Sequence, residues 1–228
     1  MFLLDSKGLL AEGRKMEDYK KPFAKPREVI EKIGTSLLEV VERSKATALL
    51  GLSGQPGTFT QAIVRQMGKN TERPIVFALS NPTTSCEAQP ADILAWTGGR
   101  ALVATGSPFA PVSFGGKLFE IGQGNNAFIF PGLGFGAVLA QAREITDAMV
   151  SAAARALAEY NAENHLASGL IYPPVTELRE VSACVAAGVI AQAVKDGVAR
   201  ADSDKLRDPL AYVRTKMWQA KYLPFVRG

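Results

Sequence analysis

Short apolar runs alternate with amphipathic stretches through the first half of the chain. Few polar side chains interrupt the runs, which is typical of parallel strands covered by helices on both faces. The predicted strands are residues 46–51, 75–79 and 101–104. Between them apolar side chains recur at helical spacing, and the predicted helices are residues 27–43, 60–67 and 90–96. This alternation predicts an α/β fold, namely a Rossmann-like, doubly wound and mostly parallel sheet.

The pattern changes after residue 112. Phe114–Leu118 contains two adjacent glycines and predicts a hairpin. Downstream helices are predicted near residues 147–160, 176–196 and 209–219. We therefore expect residues 1–145 to form a partial nucleotide-binding domain and residues 146–228 to form a helical C-terminal extension that packs on it. Leu3–Asp5 resembles the end of the second strand of a dinucleotide-binding unit, so we expect a sheet truncated on its N-terminal side.

Two loops of the predicted sheet carry asparagines. Ser80 and Asn81 directly follow one predicted strand, while Asn125 and Asn126 lie in a second, glycine-rich loop. An asparagine amide carries two donors and an acceptor, which all need partners. Ligands of open parallel sheets bind outside the carboxyl ends of the strands. The sequence therefore predicts a ligand site at these two loops.

A glycine-rich stretch, Gly51–Thr58, joins a predicted strand to a predicted helix. It contains Ser53, Gly54 and Gly57. Glycines let a ligand approach the backbone closely, and a helix N-terminus offers free amide donors to an anion. We predict a nucleotide-binding loop, and the alternative is a tight strand-to-helix turn without a ligand. The stretch is not a P-loop, because it lacks the Gly-Lys-Ser/Thr sequence.

Several other candidates have two open interpretations. Asp5 either binds a ribose or caps a turn, and Lys20 and Lys21 either reach a 2′-phosphate or form an ordinary solvated pair. Glu87 lies on the predicted ligand side, but we expect it to be a carboxylate at the start of a helix. Residues 122–127 match G-x-G-x-x-A, but no acid-terminated strand follows, so we do not interpret them as a dinucleotide fingerprint.

Charge and residue counts exclude several classes of protein. The formal net charge of +4 resides in residues 200–228, where seven Lys/Arg face three Asp/Glu. This basic tail is weak evidence for nucleic-acid binding, and a solvated arm or a subunit contact is the preferred interpretation. The two cysteines are not spaced as metal ligands usually are. The chain has a single histidine and no nucleophile-elbow motif around a serine, which argues against a hydrolase. We therefore expect neither a metal site nor a nucleic-acid partner.

The longest apolar run also argues against a membrane protein. It covers residues 127–140, contains a proline and three glycines, and is too short to span a bilayer. We expect Gly132, Gly134 and Gly136 to permit close packing of a helix on the sheet. The sequence favours a cytoplasmic location, and an organellar one stays open.

Several multi-residue blocks follow one another in a characteristic order. They are Asp5–Leu10, Arg73–Thr83, Ala104–Phe109, Gly122–Asn126, Ile129–Gly132 and Leu170–Pro174. In these blocks the chain resembles the C-terminal, NAD(P)-binding part of a malic enzyme. The resemblance covers nearly the whole chain.

The resemblance implies a reaction, the oxidative decarboxylation of L-malate to pyruvate and carbon dioxide. NAD(P)+ accepts a hydride, and Mg2+ or Mn2+ polarises the keto oxygen. The asparagines of the two loops contact malate beside the nicotinamide in this family, which implies substrate binding by Asn81 and Asn125, with Asn126 as their neighbour. Neutral amides can bind a carboxylate and a hydroxyl without adding a charge to the site.

The resemblance also implies a set of cofactor-binding residues. They are Asp5, Ser6, Lys20, Lys21, Ser53, Gly54, Gly57, Ser80, Asn81 and Asn125. Ser6 beside Asp5, with a lysine nearby, resembles the branch that uses NADP, since a lysine can pair with a 2′-phosphate. We therefore favour NADP slightly over NAD.

The family's catalytic tyrosine and lysine, its metal-binding acidic residues and its first glycine fingerprint all precede the position of Asp5. The resemblance thus implies that the chain needs the N-terminal half of an enzyme and does not turn over malate alone. It also implies that the parent enzyme is a homo-oligomer. The alternative is a stand-alone nucleotide-binding or regulatory module without catalysis. A nucleic-acid-binding role for the basic tail is a second alternative.

Overall fold

Four parallel strands form the main sheet. The structure is a computed structural model, which describes residues 1–220 and 222. The strands are β1 (Leu4–Asp5), β2 (Gly8–Leu9), β3 (Ala48–Gly51), β4 (Ile75–Ala78), β5 (Leu102–Thr105), β6 (Val112–Phe114), β7 (Lys117–Phe119) and β8 (Gly122–Gln123). The helices are α1 (Arg27–Ile33), α2 (Leu37–Ser44), α3 (Gln61–Asn70), α4 (Pro90–Thr97), α5 (Phe130–Leu139), α6 (Asp147–Asn164), α7 (Leu178–Lys195) and α8 (Pro209–Lys216).

The main sheet has the strand order β3-β4-β5-β8, and all of its pairings are parallel. Three of its strands are the apolar runs of the sequence, so the predicted α/β class with a parallel sheet is confirmed. β8 is not predicted by the hydrophobic pattern, because it has only two residues and begins with glycine. Its pairing with β5 adds the fourth strand. The predicted hairpin is also present as the antiparallel pair β6–β7.

The core lies against one face of this sheet. Leu49, Val76 and Val103 are in register on neighbouring strands and are buried. They pack with side chains of α3 and α4, including Ile63, Val64, Met67, Ile93 and Leu94. The opposite face is more open in places, since Leu50 is 55% exposed. Burial of this face by helices therefore stabilises this part of the chain.

The N-terminal segment forms a short strand pair apart from the main sheet. β1 pairs antiparallel with β2, and these two strands form a separate two-stranded sheet. β1 contains the predicted residues Leu4 and Asp5, and the expectation that they end a strand of a sheet truncated on its N-terminal side stays a prediction. Antiparallel strands can be joined by a tight turn, and Ser6 and Lys7 form that turn.

The helix predicted over residues 27–43 is divided into α1 and α2. The break falls at Gly34, and Ser36 starts the second helix with a capping box, in which the side chains of Ser36 and Glu39 each bind the backbone of the other. A capping box satisfies amide donors that a helix start leaves without partners. The apolar spacing continues across this break, which is why periodicity alone predicts one helix.

The glycines of α5 serve helix-to-helix packing. A Cβ on Gly132 would lie 2.6 Å from Val185 Cβ, and one on Gly136 would lie 2.6 Å from the carbonyl oxygen of Ala186. Both partners belong to α7, so the expected packing of this segment on the sheet is corrected to packing on a helix. No atom lies within 4 Å of the corresponding position on Gly134.

Residue contacts divide the chain into two compact units. The first contains Met1–Gly124 and His165–Pro173, and the second contains Asn125–Asn164 and the chain from Pro174 onward. The main sheet and α1–α4 belong to the first unit, while α5–α8 belong to the second. The division expected after residue 145 stays a prediction.

The basic tail belongs partly to the second unit. Arg214 forms an ion pair with Glu180, Arg207 with Asp204, and Arg200 Nε donates to the carbonyl oxygen of Gln141. The remainder of the tail, residues 221 and 223–228, lies outside the described residues. No helix in the described part of the chain is both long enough and apolar enough to cross a membrane.

Truncation of a core side chain in α3 should substantially lower the free energy of unfolding. Met67 is 0% exposed, so Met67→Ala is expected to lower the free energy of unfolding by about 2–5 kcal/mol, because it leaves a cavity. Leu118→Ala is the control, since Leu118 is 67% exposed and its loss should cost less than about 1 kcal/mol. Chemical denaturation measures both, and equal losses would contradict the assignment of the core.

Candidate functional site

Several polar side chains are buried where the strands of the main sheet end. Because β3, β4 and β5 are parallel, the loops that follow them leave from the same edge of the sheet. The buried residues there are Ser80, Glu87, Thr105 and Ser107. Ser53, Gly54 and Asn81 in the same loops are exposed. The edge thus has a buried polar layer and an exposed one.

Glu87 connects two of these loops. Its Oε1 accepts hydrogen bonds from the Ser53 amide at 3.1 Å, from the Ser53 hydroxyl at 3.3 Å and from the Ser80 hydroxyl. Its Oε2 accepts from the Ser80 amide at 3.3 Å. Ser80 Oγ accepts in turn from the Gly54 amide at 2.8 Å. Glu87 is therefore not the helix-start carboxylate that we expected, since α4 begins at Pro90.

The glycine-rich stretch is a long loop. β3 ends at Gly51 and α3 begins at Gln61, so the alternative of a tight strand-to-helix turn is wrong. Gly54 and Gly57 have φ angles of +67° and +71°, which favour glycine, and no atom lies within 4 Å of a Cβ built on either. A ligand can therefore approach the backbone at both positions.

Asn81 is oriented by a neighbouring loop. The Ser107 hydroxyl donates to Asn81 Oδ1 at 2.6 Å, which commits that oxygen as an acceptor and leaves the NH2 group as the donor. Thr105 Oγ1 donates to the carbonyl oxygen of Ser107 at 2.8 Å, and Gln123 Nε2 donates to that of Gly106 at 3.1 Å. The loop after β5, which contains Ser107, is thus fixed by hydrogen bonds of its own.

Asp5 lies beside two cations. It forms ion pairs with Arg14 and, at 3.3 Å, with Lys20, and its Oδ1 accepts from the Lys7 amide at 2.9 Å. Desolvation by burial tends to raise the pKa of Asp5, but these hydrogen bonds outweigh it and lower the pKa. The contact with Lys7 means that Asp5 caps a turn. It does not exclude a ribose, because a carboxylate offers about four acceptor positions.

The two candidate lysines differ in their surroundings. Lys20 contacts both Asp5 and Glu17, and the hydrogen bond to Glu17 is the main cause that raises the pKa of Lys20. Lys21 instead pairs with Asp18 at 2.6 Å, and its side chain is 65% exposed. The structure thus brings Asp5 and Lys20 together, with Ser6 exposed in the adjacent turn.

The second asparagine loop crosses into the second unit. Asn125 Oδ1 accepts from the Ala127 amide at 2.9 Å, so this side chain caps the short 3-10 helix Asn126–Phe128. Asn125 and Asn126 are both exposed. As with Asn81, the oxygen of Asn125 is engaged within the chain and its NH2 group is the donor that it can offer.

Arg14 and Ser107 contact predicted site residues, and sequence reasoning missed both. Arg14 binds Asp5 and also donates to the carbonyl oxygens of Gly8 and Leu9. It lies in no motif, so no local signal points to it. Ser107 lies within the recognised block Ala104–Phe109, but its hydrogen bond to Asn81 depends on the pairing of β4 with β5.

The described residues fit a nucleotide better than they fit a metal ion. The open glycine positions in the loop after β3 and the carboxylate of Asp5 are suitable for a phosphate-bearing ligand with a ribose. Within residues 1–220 and 222, no group of three or more His, Cys, Asp or Glu side chains could hold a metal ion. These features favour a nucleotide as the ligand of this part of the structure, and the residues that contact it stay a prediction.

Comparison with known proteins agrees with this geometry. Residues 1–194 match the family model described as malic enzyme, NAD binding domain. The chain is 40% identical to an NAD-dependent malic enzyme of Acinetobacter baylyi, with all of this chain and 41% of the relative aligned. It is 45% identical to an NADP-dependent malic enzyme of Dictyostelium discoideum, over 87% of this chain and 37% of the relative.

A solved structure shows the same relationship. The malic enzyme of Entamoeba histolytica superimposes with a TM-score of 0.73 at 31% identity, over 94% of this chain and 41% of that one. The chain thus spans about two fifths of the length of the curated relatives it matches. The family match, the identities and the shared fold together show that this chain belongs to the NAD-binding domain family of the malic enzymes.

Proposed function

We propose that the chain is the NAD(P)-binding portion of an enzyme that converts L-malate to pyruvate and carbon dioxide. The main observation behind the proposal is the arrangement of the loops that follow the parallel strands. Exposed hydrogen-bond donors in these loops lie next to buried residues that are hydrogen-bonded to one another. Family membership supports it, because relatives of both cofactor types bear the name malic enzyme. The bound nicotinamide would supply the hydride acceptor.

Asn81, Asn125 and Asn126 are proposed to bind the substrate. Asn81 and Asn125 both have their amide oxygens engaged within the chain, so each can donate through its NH2 group. Malate carries two carboxylates, which are acceptors only, and an amide donor matches them. A neutral donor orients the substrate and adds no net charge beside the reacting carbon.

The cofactor is proposed to lie on Ser53, Gly54 and Gly57, with Asn81 and Asn125 close to the nicotinamide. Ser80, which is buried, would act through the hydrogen bond that its hydroxyl accepts from the Gly54 amide. Asp5 would accept a hydrogen bond from the adenosine ribose, with Ser6 beside it. Lys20 would face the 2′-phosphate of NADP. Lys21 is the weaker candidate for that role, because its contact is the exposed Asp18.

The catalytic and metal-binding groups are proposed to lie in a further portion of the enzyme. The exposed face of β3 supports a contact with additional chain, because Leu50 and Leu52 are 55% and 74% exposed and β3 is at one end of the sheet order. The homo-oligomeric state and the cytoplasmic location expected from the sequence stay predictions. One relative, from Flaveria pringlei, is described as chloroplastic.

The alternative function is a nucleotide-binding or regulatory module without catalysis. The loops after β3 and β4 would serve such a module equally well. The reading frame upstream of Met1 distinguishes the two proposals. A glycine fingerprint followed by an acidic metal cluster there favours the enzyme, and their lack favours the module.

Lys20 should discriminate between the two nucleotides. Lys20→Ala is expected to weaken binding of NADP+ by about tenfold and that of NAD+ by less than about twofold, because a charge-assisted contact to the 2′-phosphate is lost. Titration calorimetry on the chain measures both affinities. Lys21→Ala is the comparison variant and should weaken the binding of NADP+ less than Lys20→Ala does, because Lys21 pairs with the exposed Asp18. An equal loss for both nucleotides in Lys20→Ala would contradict the 2′-phosphate contact.

The purified chain should not turn over malate. With L-malate, either nucleotide and Mg2+ or Mn2+, no malate-dependent formation of NAD(P)H is expected, because the described residues lack a metal-binding group. Nucleotide absorbance measures the reaction, and a full-length malic enzyme serves as the positive control. Malate-dependent reduction by the chain alone would show that the catalytic groups are present in it.

A further inference from the structure

A carboxylate without direct access to a ligand is buried beneath the cofactor loop. Glu87 is 0% exposed, whereas charged residues are almost never fully buried unless they are paired. In the described part of the chain, its side-chain partners are hydrogen-bond donors from Ser53 and Ser80, and they use both of its oxygens. A buried carboxylate that accepts several hydrogen bonds is compensated for its lost hydration.

The direction of these hydrogen bonds requires an acceptor at Glu87. Ser80 Oγ already accepts from the Gly54 amide, so its own proton is directed to Glu87 Oε1. Two backbone amides also point at the carboxylate, and a backbone amide can only donate. An amide side chain at position 87 would therefore oppose at least one donor with another donor.

The backbone around Glu87 is adapted to this side chain. A Cβ on Gly51, the last residue of β3, would lie 2.4 Å from Glu87 Cδ, so the carboxyl group occupies the space that a side chain there would need. The carbonyl oxygen of Glu87 also accepts from the Phe59 amide at 3.1 Å. Glu87 thus contacts the loop after β3 near its start and near its end.

We propose that Glu87 is a positioning residue that holds the cofactor loop, Gly51–Phe59, and the substrate loop, Ser80–Asn81, in one fixed arrangement. It contacts Ser53 and Ser80 directly and Gly54 through the Ser80 hydroxyl. Movement of either loop would break hydrogen bonds at a site that water does not reach, which makes their displacement costly. The consequence for nucleotide affinity rests on the proposed function, and the holding of the loops does not.

Glu87→Gln in the full chain tests this proposal. The variant keeps the size of the side chain and replaces one acceptor by a donor. The amides of Ser53, Gly54 and Ser80 are expected to exchange with deuterium about tenfold faster, while amides in the centres of β4 and β5 keep their protection. The affinity for NAD(P)+ is expected to fall by about tenfold, because the loops must be ordered on binding.

Cys86→Ala is the matched control. Cys86 is buried next to Glu87, and its thiol donates to the carbonyl oxygens of Ala78 and Ala88 rather than to Ser53 or Ser80. It should leave both the exchange of the loop amides and the nucleotide affinity unchanged. Ser53→Ala and Ser80→Ala each remove one hydroxyl donor to Glu87 and keep the backbone amide donor. They should reproduce part of the effect, and they carry the test if Glu87→Gln does not fold.

Amide exchange and nucleotide affinity test different parts of the proposal. Unchanged exchange at the three amides overturns the proposal, and so does a uniform rise across the main sheet, which would mean a general loss of stability. Faster exchange in the loops with unchanged nucleotide affinity overturns the positioning of the cofactor. If the unsubstituted chain binds no nucleotide, the proposed function fails, while the exchange data still decide whether Glu87 holds the loops.

Discussion

Buried polar groups at the ends of parallel strands must find their hydrogen-bond partners within the protein. Parallel strands end at one edge of a sheet. The loops there contain amides and hydroxyls that form no hydrogen bonds between strands. In this chain a single carboxylate, Glu87, accepts from the loops after two neighbouring strands. The geometry of the candidate site depends on that one buried acceptor, because both loops are tied to it.

The site therefore has two layers with different tasks. The buried layer of Ser80, Glu87, Thr105 and Ser107 satisfies its own polar groups and holds the loops. The exposed layer, with Ser53, Gly54 and Asn81, offers contacts to a ligand. A rigid support lowers the entropy that a ligand must overcome to order the loops on which it binds. Family membership agrees with this arrangement, because an NAD-binding domain must hold a large, flexible cofactor.

At the N-terminal segment, which is more exposed, ion pairs orient the predicted site residues. Asp5 is shared between Arg14 and Lys20, so the acidic group expected to face a ribose is also an anchor for two cations. Lys20 is further shared with Glu17. These side chains are partly exposed, and ion pairs that water reaches contribute little to stability, so their main effect is to orient the side chains.

The sequence by itself determined the α/β class, the three apolar strands, most of the helices and the family, because periodicity and motif blocks are local properties of the chain. It did not determine the break between α1 and α2, the short strand β8 or the packing of α5 on α7, since each depends on local capping or on a partner elsewhere. The tertiary structure alone decided the role of Glu87, whose partner Ser53 is 34 residues away, and that of Ser107, which is 26 residues from Asn81. The physical reason is that the register of parallel strands brings distant loops together, and a hydrogen bond between them leaves no pattern in the sequence.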